Sequence, residues 1–132
     1  MIIHIMKNSL KQVEEFQQVT NQIVNASPQL VDPKIAKLRY DIMIEEVNEY
    51  KDAVEKGDIV EIFDSLIDQL YVLLGTFNTH GLQHKLEEGF QEVHRSNMSK
   101  LDSDGKPIYQ ESGKVAKSKH YSPPKLDSIL NM

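Results

Sequence analysis

A chain of 132 residues with 39% hydrophobic and 27% charged side chains has the size and composition of one soluble globular domain. Its net charge of −5 speaks against general nucleic-acid binding, which needs a broad basic surface. No apolar run, Met1-Ile2-Ile3-His4-Ile5-Met6 included, is long enough for a signal peptide or membrane span, and without cysteines there is no disulfide framework, so the expectation is a cytoplasmic protein.

The first predicted helix runs from about Leu10 to Asn25, with Ser9 and Gln12 as a capping box and Val13, Phe16, Val19 and Ile23 facing inward. The hexapeptide before it is expected to pack on the domain or on a partner. The second helix covers Ile35 to Val54, opened by Asp32 as N-cap with Pro33 at the first helical position and closed by Gly57. The third, about Ile59 to Thr79, is apolar on almost every side, with Ile59, Ile62, Phe63, Leu66, Leu70, Leu73 and Phe77 as its main stripe. Asn78-Thr79-His80-Gly81 breaks that pattern, and a fourth helix over about Gln83 to Met98 buries Leu86, Phe90 and Val93.

Beyond Met98 helical periodicity stops. Lys106-Pro107-Ile108-Tyr109-Gln110 and Lys114-Val115-Ala116-Lys117 either pair as a small hairpin or stay extended. Asp102-Ser103-Asp104-Gly105 reads as a turn, because the glutamate that would close a calcium loop is missing, and His120 to Met132 wraps a surface. The predicted fold is all-α: one domain, a four-helix bundle over about residues 9–99 with an irregular tail over about 100–132.

The chemistry lies in the hairpin of the second and third helices. At about 100° per residue, Ile35, Leu38, Ile42 and Ala53 share a face, and Glu46 and Glu49 fall within that stripe. The third helix has only Glu61, Asp64 and Asp68 as charges, in one acidic stripe, and no lysine or arginine lies between Asp58 and Gln83. Reflected through the tight Gly57-Asp58 turn, Glu49 meets about position 66 and Glu46 about position 69, so Asp64 and Asp68 bracket them and Glu61 sits at the margin. A plain salt-bridge network lacks cations, since Arg39 alone has the right phase. Glu46, Glu49, Asp64 and Asp68 therefore form a candidate all-oxygen cage for Mg²⁺, with Mn²⁺ as the alternative ion. Glu61 is either a further ligand or a helix cap.

Glu45-Glu46-Val47-Asn48-Glu49 followed by an acidic motif on the next helix resembles the all-α nucleoside triphosphate pyrophosphatases, the MazG-like and phosphoribosyl-ATP pyrophosphatase-like superfamily. The likeness runs from about Lys34 to Lys119 and is densest at Asp68-Gln69-Leu70-Tyr71-Val72-Leu73-Leu74-Gly75-Thr76 and His94-Arg95-Ser96-Asn97-Met98-Ser99-Lys100. The chain departs from the motif at Ser65, three residues before Asp68, where the family places glutamate, and Asp64 is taken as the substitute.

The resemblance implies hydrolysis of a nucleoside triphosphate to the monophosphate and pyrophosphate, with nucleotide house-cleaning as the expected role. Glu45 or Glu46 is the candidate base for the attacking water. Residues 1–94 carry 8 basic and 16 acidic side chains and residues 95–132 carry 7 and 4, so Arg95, Lys100, Lys114, Lys117 and Lys119 are the candidates for the phosphates, with Asn97 beside them. Tyr71 and Phe16 are candidates to stack on a base, against a plain reading as core. So apolar a third helix needs covering, and a homodimer, or a tetramer of two, is expected to bury it. The alternatives are a dUTP/dUDP hydrolase, a phosphoribosyl-ATP pyrophosphatase-like enzyme, and a non-catalytic helical module that binds metal or nucleotide.

Overall fold

The computed structural model describes residues 2–131, with side chains from Met6 onward, so the packing expected of the N-terminal hexapeptide lies largely outside the described residues. The described chain is all-helical, α1 (Ile2–Val19), α2 (Pro33–Lys56), α3 (Ile59–Thr79), α4 (Leu86–Met98) and α5 (Leu126–Ile129), and divides into two compact units, residues 1–84 and 85–132. None of these helices is long and apolar enough to cross a membrane.

Local signals set the α2–α3 hairpin. The Asp32 carboxylate accepts from the Lys34 N–H at 2.8 Å, and Pro33, whose missing N–H costs nothing at a helix start, follows it. Gly57 ends α2 in the left-handed conformation at φ 68°, returning its N–H to the carbonyls of Ala53 and Val54. Asp58 caps α3 at once, accepting from Val60 and Glu61 N–H groups at 3.0 and 3.2 Å. With a connection this short the two helices must run antiparallel and side by side.

The first helix departs from expectation at both ends. It starts at Ile2, so Ser9 and Gln12 lie inside it and form no capping box, and it stops at Val19. There the Thr20 hydroxyl donates back to the Phe16 carbonyl at 2.7 Å, and Asn21 turns left-handed at φ 59°. The buried face also differs. Leu10, Val13 and Gln17, spaced i, i+3, i+7, are buried, while Phe16, Val19 and Ile23 are 47%, 73% and 44% exposed rather than inward.

Gln17 is the pivot of this packing. Its amide donates to the Gly75 carbonyl at 2.9 Å and to Thr79 Oγ1 at 3.2 Å, and accepts from Asn78 Nδ2 at 3.1 Å. Asn78 also reaches the Leu10 carbonyl at 3.1 Å. A buried amide left unpaired would cost about 1–3 kcal/mol, so this set admits one register of α1 on α3. The segment between α1 and α2 is tied to the end of α3, where Asn25 Nδ2 donates to the Thr79 carbonyl at 2.7 Å and the Gln29 N–H to that of His80 at 3.0 Å.

Within the second unit, α4 exposes Phe90 and Val93, contrary to expectation, and of its described side chains only Ser96 is buried. Its helical neighbour there is the four-residue α5, too short to cover an apolar face. Between them the chain pairs Tyr109 with Val115 in a single antiparallel bridge, the minimal form of the hairpin. Serines fasten this excursion to the end of α4: Ser118 Oγ donates to the Leu101 carbonyl at 2.7 Å, and the Ser122 N–H donates to Ser99 Oγ at 2.8 Å.

Candidate metal centre

Glu46 and Glu49, one turn apart on α2, meet Asp68 on α3, and one carboxylate oxygen from each lies within 4.8 Å of the others. Glu46 and Asp68 are half-buried and Glu49 is exposed, so the cluster opens to solvent on one side. Glu46 Oε2 is out of solvent with no hydrogen-bond partner. Its neighbours are acceptors as well, so only a proton held between carboxyls or a cation can satisfy it.

The electrostatics agree with that geometry. Burial, then the approach of Glu49, then the charges of Asp68 and Glu45, push the Glu46 carboxyl up to about 7. Asp68 is raised too, by burial and by the charges of Asp64 and Glu49. Mutual repulsion between unneutralised acids is what a divalent cation would relieve, and an all-carboxylate donor set suits a hard ion.

The remaining acids fall outside this triad. Asp64 is exposed and reaches Asp68 through its charge. Glu45 is exposed and acts likewise on Glu46. Glu61 pairs with Lys56 at 3.3 Å across the hairpin turn. Ser65 is 2% exposed, its hydroxyl donating to the Ile62 carbonyl at 2.8 Å, so the position of the departed motif glutamate faces the protein interior.

Arg39 is no counter-ion to these acids. Buried at 7% exposure, it donates through Nε to Thr76 Oγ1 at 3.0 Å, through Nη1 to Gln22 Oε1 at 3.0 Å and through Nη2 to the Val72 carbonyl at 2.6 Å. Among the described residues no carboxylate lies within ion-pair distance of it, and burial lowers its pKa. The sequence signal for this role was slight: an arginine set inside an apolar stripe.

The candidate phosphate partners stand as follows. Arg95 forks onto Glu92 at 2.8 and 2.9 Å and reaches the Pro123 carbonyl at 3.2 Å. Glu92 also takes the Lys125 N–H at 2.7 Å, and these bonds hold its carboxyl down at about 2. The i, i+3 spacing of Glu92 and Arg95 is the sequence signal for this latch. Lys117 lies over the Tyr121 ring, 4.7 Å from its centroid. Asn97, Lys114 and Lys119 are exposed, Lys100 half-buried. On α3, Tyr71 packs edge-on against Phe16 of α1.

A profile of the phosphoribosyl-ATP pyrophosphohydrolase family matches residues 13–97, from the middle of α1 to the last turn of α4. An uncharacterized protein of Acanthamoeba polyphaga mimivirus is 30% identical over 87 residues, which cover 66% of this chain and 32% of the viral protein. The chain thus aligns with about a third of that relative's length.

Proposed function

From a chain that belongs to the phosphoribosyl-ATP pyrophosphohydrolase family, we propose a Mg²⁺-dependent enzyme that cuts nucleoside triphosphates between the α- and β-phosphates, releasing pyrophosphate and the monophosphate and clearing unwanted nucleotides in the cytoplasm. The observation that carries this reading is the meeting of Glu46, Glu49 and Asp68 around a carboxylate oxygen that nothing else satisfies.

These three residues would hold the cation, with Asp64 and Glu61 as outer acids. Once bound, a divalent ion neutralises phosphate charge and orients the triphosphate. The protein must then take a proton from the attacking water. Glu46 and the solvated Glu45 beside it are the proposed acceptors. Arg95, Asn97, Lys100, Lys114, Lys117 and Lys119 remain the proposed partners of the phosphate oxygens, an assignment resting on their charge and donors. A homodimer, or a tetramer of two, is proposed to form through α3, where Ile59, Val60 and Phe63 are all at least 66% exposed.

The test is pyrophosphate release with Mg²⁺ from a panel of NTPs, dNTPs, dUTP and phosphoribosyl-ATP. Wild type is expected to release pyrophosphate and monophosphate, and Glu49→Gln and Asp68→Asn to lose at least about 100-fold, the upper range seen when metal sites lose a supporting group. Turnover of phosphoribosyl-ATP alone would replace the house-cleaning role with the substrate in the family's name. Binding without release from any of them would favour a non-catalytic module.

A further inference from the structure

Phe16 and Tyr71 meet edge to face, with ring centroids 5.9 Å apart and planes at 74°. Both remain well exposed, at 47% and 39%. Exposure alone does not single them out, since Phe63 and Phe90 are wetter at 66% and 68%, but the edge-to-face contact presents two exposed rings as one surface. The platform is rigid from behind. Gln17, adjacent to Phe16, is locked to Gly75, Asn78 and Thr79, so α1 cannot slide along α3 and carry the ring away.

Its position relative to the carboxylates decides what it contacts. Tyr71 follows Asp68 by three residues on α3, and such pairs lie on one helix face with Cβ atoms about 5–6 Å apart. A nucleotide whose phosphates lie at Glu46, Glu49 and Asp68 carries its base a sugar's length farther on, within reach of this ring. The geometry points to Phe16 and Tyr71 as a stacking platform for the substrate's nucleobase, an inference that rests on the nucleotide reading above.

The same surroundings define the class of base. Of the neighbouring amides, Gln17 is bonded at both ends inside the protein, whereas the exposed Gln18 makes one 3.5 Å contact, from Nε2 to Glu14. The Arg39 guanidinium is spread over Thr76, Gln22 and Val72. Stacking on an aromatic face accepts any base and gains with ring area. The platform therefore takes nucleoside triphosphates of every base and holds purines more tightly than pyrimidines.

Calorimetric titration tests this with Mg²⁺ and the α,β-methylene analogues of ATP and CTP, which resist cleavage at the bond in question. Wild type, Tyr71→Phe, Tyr71→Leu and Phe16→Leu are compared, with mass in solution, urea midpoint and pyrophosphate release from ATP measured in parallel. Leucine keeps apolar bulk and removes the π face. Stacking predicts at least tenfold weaker binding in both leucine variants, near-wild-type binding in Tyr71→Phe, and unchanged mass in folded protein. Leucine variants that bind like wild type, weakened binding that tracks a change of mass or loss of folding, or wild type that binds neither analogue would each overturn the platform. If the leucine variants bind normally and wild type releases pyrophosphate, the hydrolase stands without the platform; ring-dependent binding with no release gives the converse.

Discussion

Arg39 and Gly75 share one space: a Cβ on Gly75 would come within 2.5 Å of Arg39 Nη2 and 3.3 Å of Gln17 Nε2. The glycine is needed for what it lacks, since any side chain there would displace a buried guanidinium from three neutral acceptors, two on α3 and one on the loop after α1. Gly75→Ala is expected to cost about 1–3 kcal/mol through overpacking, read as a lower urea midpoint at unchanged slope. Arg39→Met removes the clash, so the double variant should lose less than the two single losses together. Strict additivity would show that the two positions are not coupled.

Acidity should act on the triad in a defined direction. The Glu46 carboxyl is raised from 4.5 to about 7, so folding favours its protonated form. That contribution is fully present below the unfolded value and is lost as pH climbs through 7. Cation-free protein is therefore expected to lose thermal stability between about pH 4.5 and 7, and Mg²⁺ to restore it increasingly over the same interval, with proton release on binding. Melting curves in EDTA and in Mg²⁺ across pH 5 to 8 check this, and Glu46→Gln should flatten both trends. Parallel EDTA and Mg²⁺ curves at every pH would count against a cation at this site.

Glu92 behaves in the opposite sense. Its carboxyl lies near 2, below its ordinary 4.5, so the latch in which Glu92 and Arg95 of α4 hold the chain at Lys125 and Pro123 is fully present above about 4.5 and fails as pH falls toward 2. Glu92→Gln is expected to loosen the chain after Ser118 at neutral pH. Faster amide exchange at Ser122 and Lys125, with α2 and α3 unchanged, would show it; equal protection in both proteins would contradict it.

Association through α3 is expected to give twice the 15.1 kDa chain mass or a higher even multiple. Phe63→Glu places a charge on that face and should yield monomer by light scattering while keeping helical content. A wild type that is already monomeric at working concentrations would remove this assembly from the account.

Much of the hairpin was legible because its signals are local. Asp32-Pro33 and Gly57-Asp58 dictate caps through neighbours two to four residues away, and the short turn lets positions be matched by reflection. That reflection carried Glu46 to about 69 and Glu49 to about 66, close enough to bring in Asp68 but too coarse to separate it from Asp64. The first helix was less legible, since the apolar spacing runs on to Ile23 past Asn21, a residue type that tolerates the left-handed turn found there. Nor does Gln17 look like a core residue until its partners, some 60 positions away, are known. With Gln17 on the buried face, Phe16 is rotated outward, which no count of apolar residues on α1 alone could show.

Those long sequence separations also bear on the order in which the protein is built. Closing the α2–α3 hairpin asks for two residues of turn, whereas seating Gln17 on Asn78 spans 61 positions and Asn78 on Leu10 spans 68. Distant closures are slow and come late, so Gln17→Leu should hasten unfolding and leave the refolding rate nearly unchanged. On that route the carboxylates of Glu46, Glu49 and Asp68 converge before α1 arrives. A nascent chain at this stage could already capture a cation, while the ring of Tyr71 still waited for Phe16.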